Sequence, residues 1–363
     1  MSEKRRRLGF FGRIYYWANV LFAILLLSSS LASHLDPRTS AYLAILGLFY
    51  PLWLVINIVF FIYWTVRVRP QFLLSFIVIL LTWNDLSTLI RFGNQEKALN
   101  AEHGLRLMSY NVQMFNRYQW DERPEVSREF EKVVETENPD ILCIQEFYRH
   151  QRSPGFSFSN RYEWTPNNYG RNYGLAIYSR FPIIDTGSIR YNPYVGLRNN
   201  KGFIWADILW NGDTLRVINV HLASLQLKDD DFRLVDGEVD ISKQDELKQK
   251  VWKLGGRIGR ALTKHGHQME PLLKFIDDSP HSTVVLSDLN DTQSGYAYSS
   301  LSKRLNDSFV AAGRGFGRTY PRFWFPLRID HIFVSRELPI IEHKVIKAHI
   351  SDHFPVVAEL GRL

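Results

Sequence analysis

Two textures follow one another along the chain. Residues 14–35 and 41–66 are nearly continuous apolar runs, each long enough to cross a hydrocarbon core that takes about 20 helical residues. Residues 71–90 form a third candidate span, in which the apolar run 72–83 gives way to Asn84 and Asp85. From about Glu102 the apolar runs shorten, and polar stretches separate them. Residues 105–112, 141–145, 174–179, 203–209, 215–222, 283–286, 329–334 and 356–360 read as strands, because β-branched and aromatic residues are concentrated between turn formers. Residues 124–137 and 244–277 read as mainly helical, and Gly255, Gly256, Gly259 and Gly266 predict that the second breaks or bends. Residues 228–240 are charged and Asp-rich, as an exposed insertion would be. The expected organisation is an anchor over 1–100 with about three transmembrane helices, then one α/β domain over 101–363 built around packed sheets.

Charge sharpens this division. The 363 residues carry a formal charge of +7 and a pI near 9.3, which alone suggests an acidic partner such as nucleic acid or anionic lipid. Residues 1–100, however, hold ten of the 44 Lys+Arg and four of the 37 Asp+Glu, so six of the seven surplus charges lie with the apolar runs. They cluster at Lys4, Arg5, Arg6, Arg7 and Arg13 and again at Arg67 and Arg69. By the positive-inside rule both clusters face the cytoplasm, and three spans then put everything after Ile90 outside it. The competing readings are a cleaved leader ending near Ser30-Leu31-Ala32, and an interfacial rather than spanning helix at 71–90. Asn57 and Asp85 read as a helix-packing amide and an interface-level carboxylate, not as a transport path. A lone Cys143 excludes an intramolecular disulfide framework and a cysteine zinc site.

Polar residues stand at the ends of several predicted strands: Asn111, Glu146, His221, Asp288 with Asn290, Asp330, and Asp352-His353. One such residue ordinarily caps a strand; six positions in one domain point to strand ends converging on a cleft. Ser109-Tyr110-Asn111, Gln145-Glu146, Asn219-Val220-His221, Ser287-Asp288-Leu289-Asn290, Arg328-Ile329-Asp330-His331 and Ser351-Asp352-His353-Phe354-Pro355 occur in this order. Together they resemble the endonuclease/exonuclease/phosphatase superfamily over 105–363, and the apolar N-terminus looks like a membrane-anchored bacterial subgroup of it. The resemblance implies a four-layer α/β/β/α sandwich with the site at one edge of two packed sheets.

The residue types suit phosphate-ester cleavage, which needs charge neutralisation on the phosphate, an activated water and help for the leaving oxygen. Glu146 is a hard oxygen ligand for Mg²⁺, with Mn²⁺ as the other candidate, and Asn111 adds a carbonyl ligand or orients the phosphate without adding charge. The resemblance implies that Asp288 positions or deprotonates the water and Asn290 holds nucleophile and phosphate in line. It also pairs His353 with Asp330 so that protonated His353 binds a phosphate oxygen. His221 then serves the phosphate or leaving oxygen, and Asp352 is a second metal-side carboxylate.

Two departures from the family pattern stand out. Ser287-Asp288-Leu289-Asn290 replaces the common Gly-Asp-Phe-Asn, and Gln113 stands where some DNA-repair members carry Asp. The Gly-rich stretch 313–320, with two Arg and two aromatics, is either a flexible hairpin or a loop that grips a phosphate and stacks a base or sugar, with Arg318 and Tyr320 as the substrate-binding candidates. Arg171-Asn172-Tyr173, Arg257 and Arg260 are further candidates to face the site. A nearly neutral domain argues against extended duplex binding. The expected activity is an anchored Mg²⁺-dependent phosphoesterase at a bacterial cytoplasmic membrane, acting outside the cytoplasm on nucleic acid, phospholipid or sugar phosphate. The alternative is a phosphate-ligand-binding module on the same fold without turnover.

Overall fold

A computed structural model of the chain describes residues 8–92, 104–166, 172–191, 202–227, 230–231, 233, 244–323 and 325–361. Strands alternate inward and outward with period two, and that alternation generates the architecture. In β1 (Leu105–Asn111) and β2 (Ile141–Tyr148), Leu105, Leu107, Ile141 and Cys143 face one core while Met108, Tyr110, Leu142 and Ile144 face another. In β7 (Asp213–His221), β8 (Ser282–Asp288) and β10 (Asp330–Val334), Val217, Val284, Leu286 and Ile332 join the first core. Ile218, Val285 and Phe333 turn to a third. The shared core is therefore the seam between two sheets, and each outer face is covered by helix.

The first sheet has the order β11-β12-β1-β2-β4-β3, with β3 (Asn160–Trp164), β4 (Tyr173–Ser179), β11 (Ile340–Val345) and β12 (Val356–Leu360). The second runs β5-β6-β7-β8-β10-β9, with β5 (Ile183–Arg190), β6 (Gly202–Trp210) and β9 (Asn306–Asp307). The helix Val126–Glu137 covers the first sheet, and the helices Gln244–Asp277 and Tyr296–Ser302 cover the second. This is the expected four-layer α/β/β/α sandwich. The four edge strands, β3, β5, β9 and β11, were not predicted; β9 has two residues, and the others are half-buried and carry mixed polar residues, so no apolar run marks them.

The long helix corrects one expectation. Gln244–Asp277 runs as a single helix of 34 residues through all four glycines and Pro271. Two of the glycines are explained by close approach. A Cβ on Gly259 would meet Ala41 and Ile45, and one on Gly266 would meet the Asp36 and Arg38 side chains at 2.6 and 2.8 Å. The glycines admit the N-terminal helices rather than break this one. Most of the predicted insertion 228–240 lies outside the described residues, as does Arg171.

Among the described residues, the N-terminal part contains one helix long and apolar enough to cross a membrane, α1 (Phe10–Ala32). There are up to three if each of two bent pairs counts as one span. The second expected span is bent by 58° between α2 (Ala41–Leu48) and α3 (Tyr50–Val66), beside Pro51. The third is bent by 69° between α4 (Phe72–Leu81) and α5 (Trp83–Leu89). Asn57 donates to the carbonyls of Phe22 and Trp53 at 2.9 Å, and Ser75 donates to Asn19 at 2.8 Å. The bonds to Phe22 and between Ser75 and Asn19 are interhelical polar contacts of the sort that hold apolar bundles together, while the Trp53 carbonyl belongs to the Asn57 helix itself. Ser30 donates to Asp85.

One end of this bundle is fastened to the sandwich. His34 Nδ1 lies 3.0 Å from Ser299 Oγ, Arg38 pairs with Glu270, and Arg328 Nη2 donates to the Thr88 carbonyl at 3.0 Å. Arg91 and Gly315 exchange both backbone hydrogen bonds, at 2.9 and 2.8 Å. Tyr15 and Tyr63 meet at the opposite end, near Arg13 and Arg67.

Candidate active site

The site is the upper end of the seam between the sheets. Following the inward row of each strand, apolar residues give way to polar ones: Leu105, Leu107, then Ser109 and Asn111; Ile141, Cys143, then Gln145. Likewise Leu215 and Val217 lead to Asn219 and His221, Val284 and Leu286 to Asp288, and Val334 and Ile332 to Asp330. Strand register then sets neighbours. Asn111 lies opposite Gln145 in one sheet, while His221, Asp288 and Asp330 stand side by side on three adjacent strands of the other. These groups are buried, so hydrogen bonds among them take the place of bonds to solvent.

Two amides form the floor. Gln145 Nε2 donates to Ser109 Oγ at 3.1 Å and to Asn219 Oδ1 at 2.8 Å, while Asn219 Nδ2 reaches across to the carbonyls of Ile144 and Ala176, both at 2.9 Å. Buried polar groups keep their place only when satisfied, and these bonds join the two sheets directly beneath the ionisable residues. Both amides stood in the sequence motifs, but nothing in residue type or spacing distinguished them from ordinary strand polars.

Above the floor, Asp288 is fully buried. Its Oδ2 accepts from Asn111 Nδ2 at 2.8 Å, and its Oδ1 accepts from the Asn290 backbone N–H at 2.9 Å. Burial raises its pKa to about 7, opposed by the His353 charge and aided by Asp330. His353 Nδ1 sits 3.0 Å from Asp330 Oδ2, and its Nε2 lies 3.9 Å from Asp288. Burial alone would lower the His353 pKa; Asp330 and Asp288 outweigh it and raise the value to about 10. His221 Nε2 is 3.5 Å from Asp288 Oδ2 and 3.9 Å from Glu146 Oε1.

Glu146 owes its direction to a bulge. Gln145 pairs with Leu175 and Phe147 with Gly174, leaving Glu146 as the extra residue, at φ 52°. A glutamate in the left-handed region is unusual, and bulges re-aim side chains at sites; here the carboxylate leaves the ladder and is 28% exposed. Asn290 also takes a positive φ, 47°, and its Nδ2 donates to the Leu222 carbonyl at 3.4 Å.

The wall is made by two backbone segments. Ser351 Oγ donates to the Asn111 carbonyl at 2.8 Å and accepts from the His353 N–H at 3.2 Å. Thr319 Oγ1 accepts the N–H groups of Ile329 and Asp330 at 3.1 and 3.2 Å. Sequence reasoning assigned neither hydroxyl a task. Tyr320 places its ring 5.1 Å from His353, edge to face, and burial with the nearby Asp352 charge raises its pKa. Asp352 is half-buried beside Ser351, 3.4 Å from its hydroxyl.

Arg318 is turned to the carbonyls of Tyr320, Pro321 and Phe323, so its guanidinium holds its own loop together. Arg257 pairs with Asp231, Arg260 is exposed, and the Gln113 N–H caps Asn111 Oδ1 at 3.0 Å.

A divalent cation fits this donor set. Ligand atoms of Asp288, Asp330 and His353 lie within 4.8 Å of one another, a spacing that could hold an ion. A protonated imidazole is no ligand, however, and the carboxylates around His353 favour its protonated form. The half-open Glu146 carboxylate is instead a hard oxygen donor of the kind a divalent cation takes.

Comparison with known proteins agrees with this architecture. No curated protein sequence matches the chain. Among solved structures it is similar to an endonuclease/exonuclease/phosphatase from Beutenbergia cavernae DSM 12333, at 15% identity over 72% of this chain and 72% of that one, with a TM-score of 0.51. It is also similar to an endonuclease/exonuclease/phosphatase family protein from Leptotrichia buccalis C-1013-b, at 15% identity over 71% and 100% with a TM-score of 0.49. The human Nocturnin catalytic domain with bound sulfate gives 16% identity over 72% and 94%, with a TM-score of 0.46. The model of a domain of unknown function (DUF8431) matches residues 12–89. The Endonuclease/Exonuclease/phosphatase family model matches residues 108–353, which run from the middle of β1 to His353 and take in every ionisable group of the cleft: the chain belongs to that family.

Proposed function

We propose that the protein is a membrane-anchored, divalent-metal-dependent phosphoesterase that cleaves a phosphodiester or phosphomonoester outside the cytoplasm. The observation that carries this reading is the contact of two buried groups 3.9 Å apart, the Asp288 carboxyl raised to about 7 and the His353 imidazole raised to about 10, so that near neutral pH the first can take a proton while the second holds one. Titratable groups pushed toward opposite roles mark acid–base chemistry. Asp288 orients the attacking water and takes its proton, with Asn111 and the Asn290 N–H holding the carboxylate. Protonated His353, fixed through Nδ1 by Asp330, donates a hydrogen bond to a non-bridging phosphate oxygen as the scissile P–O bond breaks. His221 faces the leaving oxygen, and Tyr320 lines the substrate side. Glu146, Asn111 and Asp352 would hold the cation, which supplies charge neutralisation on the phosphate.

The membrane reading is supported by chain geometry. Both the 34–40 connection and the exit of α5 touch the sandwich, and the basic Arg13, Arg67 and Arg69 belong to the other end of the bundle. An odd number of crossings gives that arrangement, and the positive-inside rule puts the sandwich on the extracytoplasmic side.

The test uses the full chain in an uncharged detergent, because Arg328 and the long helix rest on the bundle. Single-stranded DNA, RNA, phospholipids and inositol phosphates are offered with Mg²⁺ and with EDTA. Expected is metal-dependent release from at least one class, lost in Glu146→Ala and His353→Ala. Turnover unchanged in both variants refutes the assignment.

A further inference from the structure

A second cavity, of about 720 Å³, opens on the far side of the wall that carries Tyr320 and His353. Pro321 and Phe354, the residues following those two, line it. Its polar lining is one-signed. Arg314, Arg318, Lys344 and Lys347 contribute cations, His343 and His349 contribute imidazoles, and no Asp or Glu is among the described lining residues. Two of the cations are already engaged, Arg318 by loop carbonyls and Lys344 by Glu137 at 2.6 Å. Arg314 and Lys347 are exposed, and neither forms an ion pair or side-chain hydrogen bond among the described residues. The rest of the lining is apolar and includes Phe309, Phe316 and Pro326, with Phe316 45% exposed.

Position selects the ligand. Gly315, between Arg314 and Phe316, is bridged to Arg91, two residues beyond α5, and Arg91 is followed by the 86% exposed Phe92. The mouth of the cavity thus stands where the chain leaves the bundle. An anion that also carries apolar surface matches both halves of the lining. A zwitterionic head group would bring a cation to a cavity that has no lining acid to receive it.

We propose that this cavity binds the phosphate head group of an anionic phospholipid from the leaflet beneath the sandwich, with Arg314 and Lys347 as its ligands and Phe316 against its glycerol and upper acyl carbons. The site rests on the membrane reading above but not on the catalytic one.

The test compares the full chain with Arg314→Glu/Lys347→Glu in an uncharged maltoside detergent. Binding of dihexanoyl phosphatidylglycerol, dihexanoyl phosphatidylcholine and inorganic phosphate is measured by native mass spectrometry. Phosphatidylglycerol is expected to bind most tightly, and neutralising even two such cations weakens binding by about 30-fold. The milder Arg314→Gln/Lys347→Gln serves if charge reversal disturbs folding. Equal phosphatidylglycerol binding by wild type and variant overturns the site. Full displacement of the lipid by equimolar inorganic phosphate overturns the lipid as its occupant. Metal-dependent hydrolysis of bis(p-nitrophenyl) phosphate, measured in parallel, is expected to be the same in both proteins. If wild type lacks that hydrolysis but the variant still loses lipid, the catalytic reading fails and this site stands.

Discussion

The bundle interior and the cleft floor are built from the same kind of residue and do different work. In the bundle, Asn19, Asn57 and Ser75 are fully buried, and their hydrogen bonds end on backbone carbonyls or on one another. In the sandwich, Asn111, Gln145 and Asn219 are equally buried; Gln145 and Asn219 stitch the two sheets together, but Asn111 ends on Asp288. A buried amide therefore says little about chemistry by itself. What matters is whether its network terminates on a group that can change charge. In the bundle such an amide closes a contact; in the cleft it sets which proton states are cheap.

This contrast can be broken first at Asp288. Asp288→Asn is expected to lower kcat by about 10³-fold, within the range for removal of a positioned acid–base group. It should not unfold the protein. Burial has raised this carboxyl, so stability is lost as pH rises from its ordinary 3.8 to about 7, the full cost is present at pH 8, and an amide removes that cost. A thermal midpoint at pH 8 equal to or above the wild-type value is the expected companion result; a large drop would make Asp288 a structural residue.

The second largest effect is on pH dependence. Asp330 and Asp288 hold the protonated form of His353 up to about pH 10 against an ordinary value of 6.5. Activity that needs the imidazolium is present below the folded pKa and lost as pH rises through it. Asp330→Asn should move the alkaline limb of the kcat profile to lower pH. An unmoved alkaline limb would mean that another group titrates there.

At the floor, Asn219→Leu removes three hydrogen bonds and leaves the buried Gln145 amide beside apolar surface. The expected loss is about 1–3 kcal/mol of stability by denaturant unfolding, the usual range for leaving buried partners unmade, with a smaller fall in kcat. The weakest effect belongs to the bundle. Asn57→Leu should cost about 0.6 kcal/mol, as interhelical bonds in apolar surroundings do, with no change in kcat on a soluble ester. A fall in kcat there would show that the two networks are coupled.

Much of this was legible beforehand for a physical reason. The strands buried on both faces, such as 141–145 and 283–286, advertise themselves as apolar runs, and the polar residues that end them are the cleft. The half-buried β3, β5 and β11 carry no such run. The bend at Glu146 was invisible because a bulge depends on the partner strand, not on local composition. The continuity of Gln244–Asp277 was hidden for a related reason: its glycines signal breaks in isolation, and only the packed α2 and the 34–40 connection explain two of them. Likewise Arg318, attractive as a phosphate grip, spends its donors on three carbonyls that no sequence pattern pairs with it.

The fastening of bundle to sandwich, through His34–Ser299, Arg38–Glu270, Arg328–Thr88 and the Arg91–Gly315 bridge, reaches further than stability. Four attachments at separated points remove the swing and tilt that a single tether would leave. With the bundle in a bilayer as proposed, the cleft stands at one height and one angle over the surface. Its search for substrate then becomes a matter of sliding in two dimensions, and a phosphate ester is selected partly by how far it protrudes.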